Sequence, residues 1–139
     1  MAAEDVVKKL ADAFNKHDVN AMIACYASDV VAHDPFYPQP LKGKEALKKD
    51  AEDFLKAFPD IRFTMSNLMG KGDTAAVEVV VTGTHKGPLV GPQGTIPATN
   101  KRITIRGAMF CRTNAQGLVA EETRYFDAAG MMAQLGLKP

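Results

Sequence analysis

RITIRGAMFCRT, residues 102–113, places Ile103, Ile105, Met109 and Cys111 on one side of an extended chain and Thr104, Arg106, Ala108 and Phe110 on the other. Twelve residues with this two-residue period and no internal proline predict a long strand, with its greasier side toward a core. On burial grounds alone that alternation turns Arg106 outward. Neighbouring segments extend the pattern: Ile61 to Met69, Thr74 to Lys86 and Leu118 to Phe126 also read as strands, separated by turns that contain Gly and Asp, Gly and Pro, or Asn and Gly.

Upstream the period changes to that of a helix. Val6, Leu10, Ala13, Phe14 and His17 form one stripe that ends at His17-Asp18, and Asp18 is placed to cap a short second helix bearing Ala21, Met22, Cys25 and Tyr26. A short strand, Val30 to His33, leads into a loop marked by Pro35, Pro38 and Pro40. A third helix from Gly43-Lys44 carries Leu47, Ala51, Phe54, Leu55 and Phe58 on its stripe, with Lys48, Lys49, Glu52, Asp53 and Lys56 facing solvent, and Pro59 stops it. Asp127 caps a last short helix through Leu135, with Gly136 as its stop and Pro139 beyond. Helices first and strands second predict one α+β domain over residues 1–139, with helices packed on one face of a curved antiparallel sheet. Strands this long cannot be covered by three short helices, so the sheet should curl and leave a cavity or a subunit interface.

Composition narrows the function. Hydrophobic residues make up 46% and charged residues 24% of the 139, and the formal net charge is +1. No basic stripe argues for nucleic acid or anionic lipid, and no apolar run is long enough to span a bilayer. The start, Met1-Ala2-Ala3-Glu4-Asp5, lacks the features of a secretory signal, which predicts a cytoplasmic protein. Cys25 and Cys111 read as two packed thiols, and the three histidines have no ligand spacing, so neither a disulfide nor a metal site is expected.

Several segments, in this order and spacing, resemble the SnoaL-like polyketide cyclases of the nuclear-transport-factor-2-like and ketosteroid isomerase-like superfamily: Ala13-Phe14-Asn15 with His17-Asp18, Asp34-Pro35, Leu41-Lys42-Gly43, Ala57-Phe58-Pro59-Asp60, Gly83-Thr84-His85-Lys86-Gly87 with Gly91, and Tyr125-Phe126-Asp127 ahead of Gln134-Leu135-Gly136. The resemblance implies a cone-shaped fold, commonly a homodimer through the sheet, whose pocket takes a hydrophobic small molecule without metal or organic cofactor. It also implies a carboxylate acid/base three positions before Asp127, where this chain has Arg124. A guanidinium stays protonated and cannot take a proton from carbon.

The acid/base role must then fall elsewhere. Glu122 and Arg124 share a strand face, and the resemblance places Ala108 and Phe110, with Arg106, beside them in the pocket. Either Glu122 is a base and Arg124 or Arg106 holds an anionic or carbonyl group, or the pair is a structural ion pair or an outward charged row at a dimer contact. Asp34 is a second candidate base, with Tyr37 as a hydroxyl donor and His33 beside it; the alternative is a turn residue binding backbone amides ahead of Pro35. His85 reads as a structural hydrogen-bonding residue or a substrate contact. Phe14, Phe58 and Phe110 are core residues that could also line a cavity. The implied function is a cofactor-independent acid/base enzyme, an isomerase, aldol-type cyclase or lyase. Its alternatives are a non-catalytic binding or dimerisation module and an epoxide-hydrolase-like enzyme that uses two carboxylates and an arginine.

Overall fold

A computed structural model describes residues 2–92 and 94–137; Pro139, expected beyond the last helix, lies outside them. The chain runs α1 (Ala3–Asn15), α2 (Val19–Ile23), β1 (Tyr26–His33), β2 (Leu41–Lys42), α3 (Lys44–Ala57), β3 (Arg62–Lys71), β4 (Thr74–Thr84), β5 (Leu89–Gly91), β6 (Gly94–Ile96), β7 (Arg102–Thr113), β8 (Val119–Phe126) and α4 (Ala128–Gln134).

Six strands form one sheet in the order β2-β1-β8-β7-β4-β3, and β5 and β6 form a separate hairpin within the expected Pro/Gly loop. All neighbours in the large sheet are antiparallel except β1 and β8, which run parallel. The curved, mostly antiparallel sheet is as expected, and the parallel pair is a detail the sequence did not reveal. It also has a consequence for the site, because Ala32 and His33 pair with Glu122 and Thr123, so the chain leaves β1 at Asp34 directly beside Arg124.

The helices cover the inner face. Val6, Val7, Leu10 and Phe14 of α1 and Met131 of α4 are buried over the inward row of β4 and β7, Val77, Val79, Val81, Ile103, Ile105 and Met109, and Leu47 and Ala51 of α3 join the same core from above β1 and β2. Apolar area withdrawn from water by these residues is the main stabilising term, at roughly 25 cal/mol per Å². Asp18 and Asp127 cap α2 and α4 by accepting from the amides of Ala21 and Gly130. Gly136 ends the last turn in the left-handed region, at φ 78°. Gly107 has a steric cause: a Cβ there would fall 2.3 Å from the Phe126 ring. Its absence lets the end of β8 lie close over β7.

Three local expectations are corrected. Tyr26, expected on the second helix, opens β1, because α2 ends at Ile23 and Cys25 only closes its final turn. His17, expected on the apolar stripe, sits past the helix end at φ 58°, exposed, with Nε2 donating to the Ile61 carbonyl. The strand expected to reach Lys86 stops at Thr84, whose amide and hydroxyl are both taken by Asp60.

Candidate active site

Between the helices and the inner face of the sheet lies a cavity of about 120 Å³, walled by α1, α3, β4, β7 and α4 through residues such as Leu10, Phe14, Phe54, Val79, Met109 and Met131. Its lining is mostly apolar; besides Asp127 at the start of α4, the charged groups on it are Asp34, Asp50, Glu122 and Arg124, which converge at one corner. They reach that corner from three elements: Asp34 from the end of β1, Asp50 from the inward side of α3, and Glu122 and Arg124 from alternate positions of β8.

Arg124 organises the corner. Its Nε donates to Glu122 Oε2 at 2.6 Å, and its Nη1 donates to both Asp34 Oδ2 and Asp50 Oδ2 at 2.9 Å. Among the described residues Nη2 makes no hydrogen bond. Each carboxylate is held on its other oxygen as well. Glu122 Oε1 accepts from the Tyr26 hydroxyl at 2.8 Å and lies 3.7 Å from Cys111 Sγ; Asp50 Oδ1 accepts from the Tyr37 hydroxyl at 2.6 Å; Asp34 Oδ1 accepts from the Phe36 amide at 2.7 Å. Asp34 therefore does make the expected turn contact, and it also faces the cavity.

The electrostatics follow from this packing. Three carboxylates surround one guanidinium, leaving a formal surplus of negative charge in a nearly dry corner. Burial pushes the Asp50 carboxyl above its ordinary value, opposed by Arg124 and by the Tyr37 hydrogen bond. Burial first, then the neighbouring carboxylates, push the Tyr26 and Tyr37 hydroxyls upward, so both stay protonated as donors. Cys111 is pushed up by burial and by Glu122, which makes it an inert thiol.

Asp34, Arg124 and Phe126 also line a groove on the outer side, together with His33, Tyr37, Gln39 and Thr123. The polar corner is thus the boundary between cavity and solvent. Tyr37 contacts Asp50 from the groove side, and His33 is exposed there.

The structure separates the remaining expected residues. Glu122 pairs across the sheet with Cys111, and Arg124 with Met109, so the inward row of β7 is the greasy one. Arg106 and Phe110 lie on the outer face, both exposed, which corrects their placement in the pocket. The alternation of β7 itself carried the right parity. Phe14 lines the cavity and stacks on Phe63 at 4.2 Å. Phe58 is fully buried but packs away from the cavity against His85, at 5.3 Å between ring centroids. His85 is also fully buried, its Nδ1 held by the Thr99 hydroxyl and amide, and it does not line the cavity. Asp50 was missed, although it falls three residues after Leu47 and four before Phe54, on the inward stripe of its helix. Among the described residues no group of three or more His, Cys, Asp or Glu is arranged to hold a metal ion, and no helix is long and apolar enough to cross a membrane.

A curved sheet with helices on its inner face, closing on a mostly apolar cavity with a polar corner, is the ketosteroid isomerase-like fold. The comparisons make the family specific. The family model for SnoaL-like polyketide cyclases matches residues 4–135, so the chain belongs to that family. Similar solved structures include IdmH of Streptomyces antibioticus, a proposed polyketide cyclase, at 26% identity and TM-score 0.76, with 96% of this chain and 97% of that chain covered. AclR of Streptomyces galilaeus, a proposed hydroxylase, aligns at 23% identity and TM-score 0.82 over 99% and 97% of the two chains. A Catenulispora acidiphila protein with a ketosteroid isomerase-like fold, in complex with trimethylamine, aligns at 20% identity and TM-score 0.78 over 96% and 93%. A search of curated proteins finds no match.

Proposed function

We propose that the protein is a cofactor-independent acid/base enzyme acting on a hydrophobic carbonyl compound, as an isomerase, aldol-type cyclase or lyase. One observation carries this reading: Arg124 Nη1 bridges the Asp34 and Asp50 carboxylates at the mouth of an apolar cavity while its Nη2 faces no protein partner among the described residues. An arginine at the position where cyclases of this type carry their carboxylate moves the proton chemistry to the carboxylates it holds.

In this reading the substrate's carbonyl oxygen accepts a hydrogen bond from Arg124 Nη2, and Asp34 takes a proton from the adjacent carbon. The guanidinium then stabilises the charge that develops on oxygen. Asp50, whose carboxyl favours its proton more than an ordinary aspartate, returns a proton to the enolate or to the new alkoxide, and Tyr37 connects it to the outer groove. Glu122 acts through Arg124: at 1% exposure it is the most deeply buried of the three carboxylates, and it orients the guanidinium from within and stays out of the reaction.

The Asp-Arg-Asp bridge also supports a second reading, hydrolysis of an epoxide, with one aspartate activating water and the other giving a proton to the ring oxygen. Turnover of matched cyclic ketones and cyclic epoxides by the protein and by Asp34→Asn and Asp50→Asn decides between them. Ketone conversion lost in both variants supports the first reading, epoxide opening lost in both supports the second, and equal turnover in all three proteins contradicts both.

The outer sheet face supports a homodimer. Phe110 and Tyr125 form an edge-to-face pair there, 6.0 Å between centroids, and are 47% and 60% exposed. Two free buried thiols suit a reducing compartment and support a cytoplasmic setting.

A further inference from the structure

We infer that the cavity selects a single neutral ring, a cyclic ketone or lactone of about six or seven ring atoms, and excludes fused polycyclic and anionic compounds; this rests on the acid/base reading and names its substrate class. Size is the first argument. A cavity volume of about 120 Å³ lies near that of an apolar cavity of about 150 Å³ that accepts benzene, and below the roughly 300 Å³ where drug-sized ligands begin.

The walls that set this size are braced. Phe63 is held to α1 twice, by Asn15 Nδ2 donating to its carbonyl at 2.8 Å and by its amide donating to Asn15 Oδ1 at 2.7 Å, and its ring stacks on Phe14. On the other side Phe36 packs edge-on against Phe54 at 5.6 Å. Widening the cavity between these two walls for a second fused ring disturbs the contacts that brace them, whereas a single ring leaves them in place.

Charge is the second argument. Even with the Asp50 carboxyl holding its proton, Asp34 and Glu122 outnumber the one guanidinium, so an added carboxylate meets repulsion at this poorly exposed corner. A neutral carbonyl meets only the Nη2 donor. A mostly apolar lining with its hydrogen-bonding cluster at one corner therefore fits one oxygen function on an otherwise hydrocarbon ring.

Titration calorimetry with cyclohexanone, 1-decalone, a four-ring steroid ketone and cyclohexanecarboxylate tests this on the intact protein. Cyclohexanone is expected to bind at least about tenfold more tightly than the steroid ketone or the carboxylate. Met65→Ala, which removes a flexible lining side chain, is expected to raise decalone affinity about tenfold; Val79→Ala serves the same purpose if the first variant does not fold. Steroid or carboxylate binding as tight as that of cyclohexanone, or no binding of any ring, overturns the inference. Cyclohexanone that binds with this selectivity yet is never deprotonated overturns the acid/base reading alone.

Discussion

Arg124 and Asp34, ninety positions apart in the chain, meet at 2.9 Å because parallel pairing of β1 with β8 brings the end of one strand beside the middle of the other. The same guanidinium nitrogen holds Asp50 at the same distance. Removing it leaves three carboxylates facing one another with little water. Arg124→Met should cost about 3–5 kcal/mol near neutral pH. Its loss should shrink as pH falls, because the folded variant then binds protons more tightly than its unfolded chain, and stability declines with rising pH wherever that holds. Urea melts at two pH values check this; a pH-independent loss would contradict the charge argument.

Asp50 has a smaller effect of the same sign in the unmodified protein. Its folded carboxyl is raised above 3.8, so the stability it contributes is complete below that value and is lost as pH rises through the folded one. Asp50→Asn should remove this decline and lower turnover by about 10²-fold, the usual scale for losing a general acid. Stability against pH and the rate at saturating ketone report the two effects separately.

His85 should give the opposite slope. Thr99 donates its amide to Nδ1, which places the ring proton on Nε2, and Nε2 has no hydrogen-bond partner among the described residues. Burial lowers the histidine below 6.5, so the neutral ring's contribution is complete above that value and is lost as pH falls through the folded one. His85→Asn keeps an acceptor toward Thr99 and should lose this acid sensitivity, at a cost of about 1–3 kcal/mol. Thermal unfolding between about pH 5 and 8 reads both.

For the outer face, Phe110→Asp and Tyr125→Asp should each convert a dimer to a monomer with the fold intact, as measured by light scattering during gel filtration and by circular dichroism. A mass unchanged by both substitutions would remove this face as the contact.

Much of the fold was legible because burial imposes periods that survive in the chain. The row Ile103, Ile105, Met109 and Cys111 and the stripe Leu47, Ala51 and Phe54 were readable, as were the caps at Asp18 and Asp127. The parallel closure of β1 on β8 was not, since strand direction across a sheet is a long-range choice that no local period records. Arg106 and Phe110 show family likeness misplacing a strand face that simple alternation orients correctly. Asp50 shows the converse: among Lys48, Lys49, Glu52 and Asp53 it reads as one more surface charge, yet its helical phase is the inward one.

The central claim is that a carboxylate held by Arg124 takes a proton from carbon next to a carbonyl. The direct measurement is deuterium uptake at the α-carbon of cyclohexanone in heavy water, followed by NMR with the protein and with Asp34→Asn, after calorimetry has shown that both bind the ketone. The account predicts protein-dependent uptake that falls by about 10²-fold or more in the variant. Uptake at the uncatalysed rate with the unmodified protein, or equal uptake with both, would contradict it.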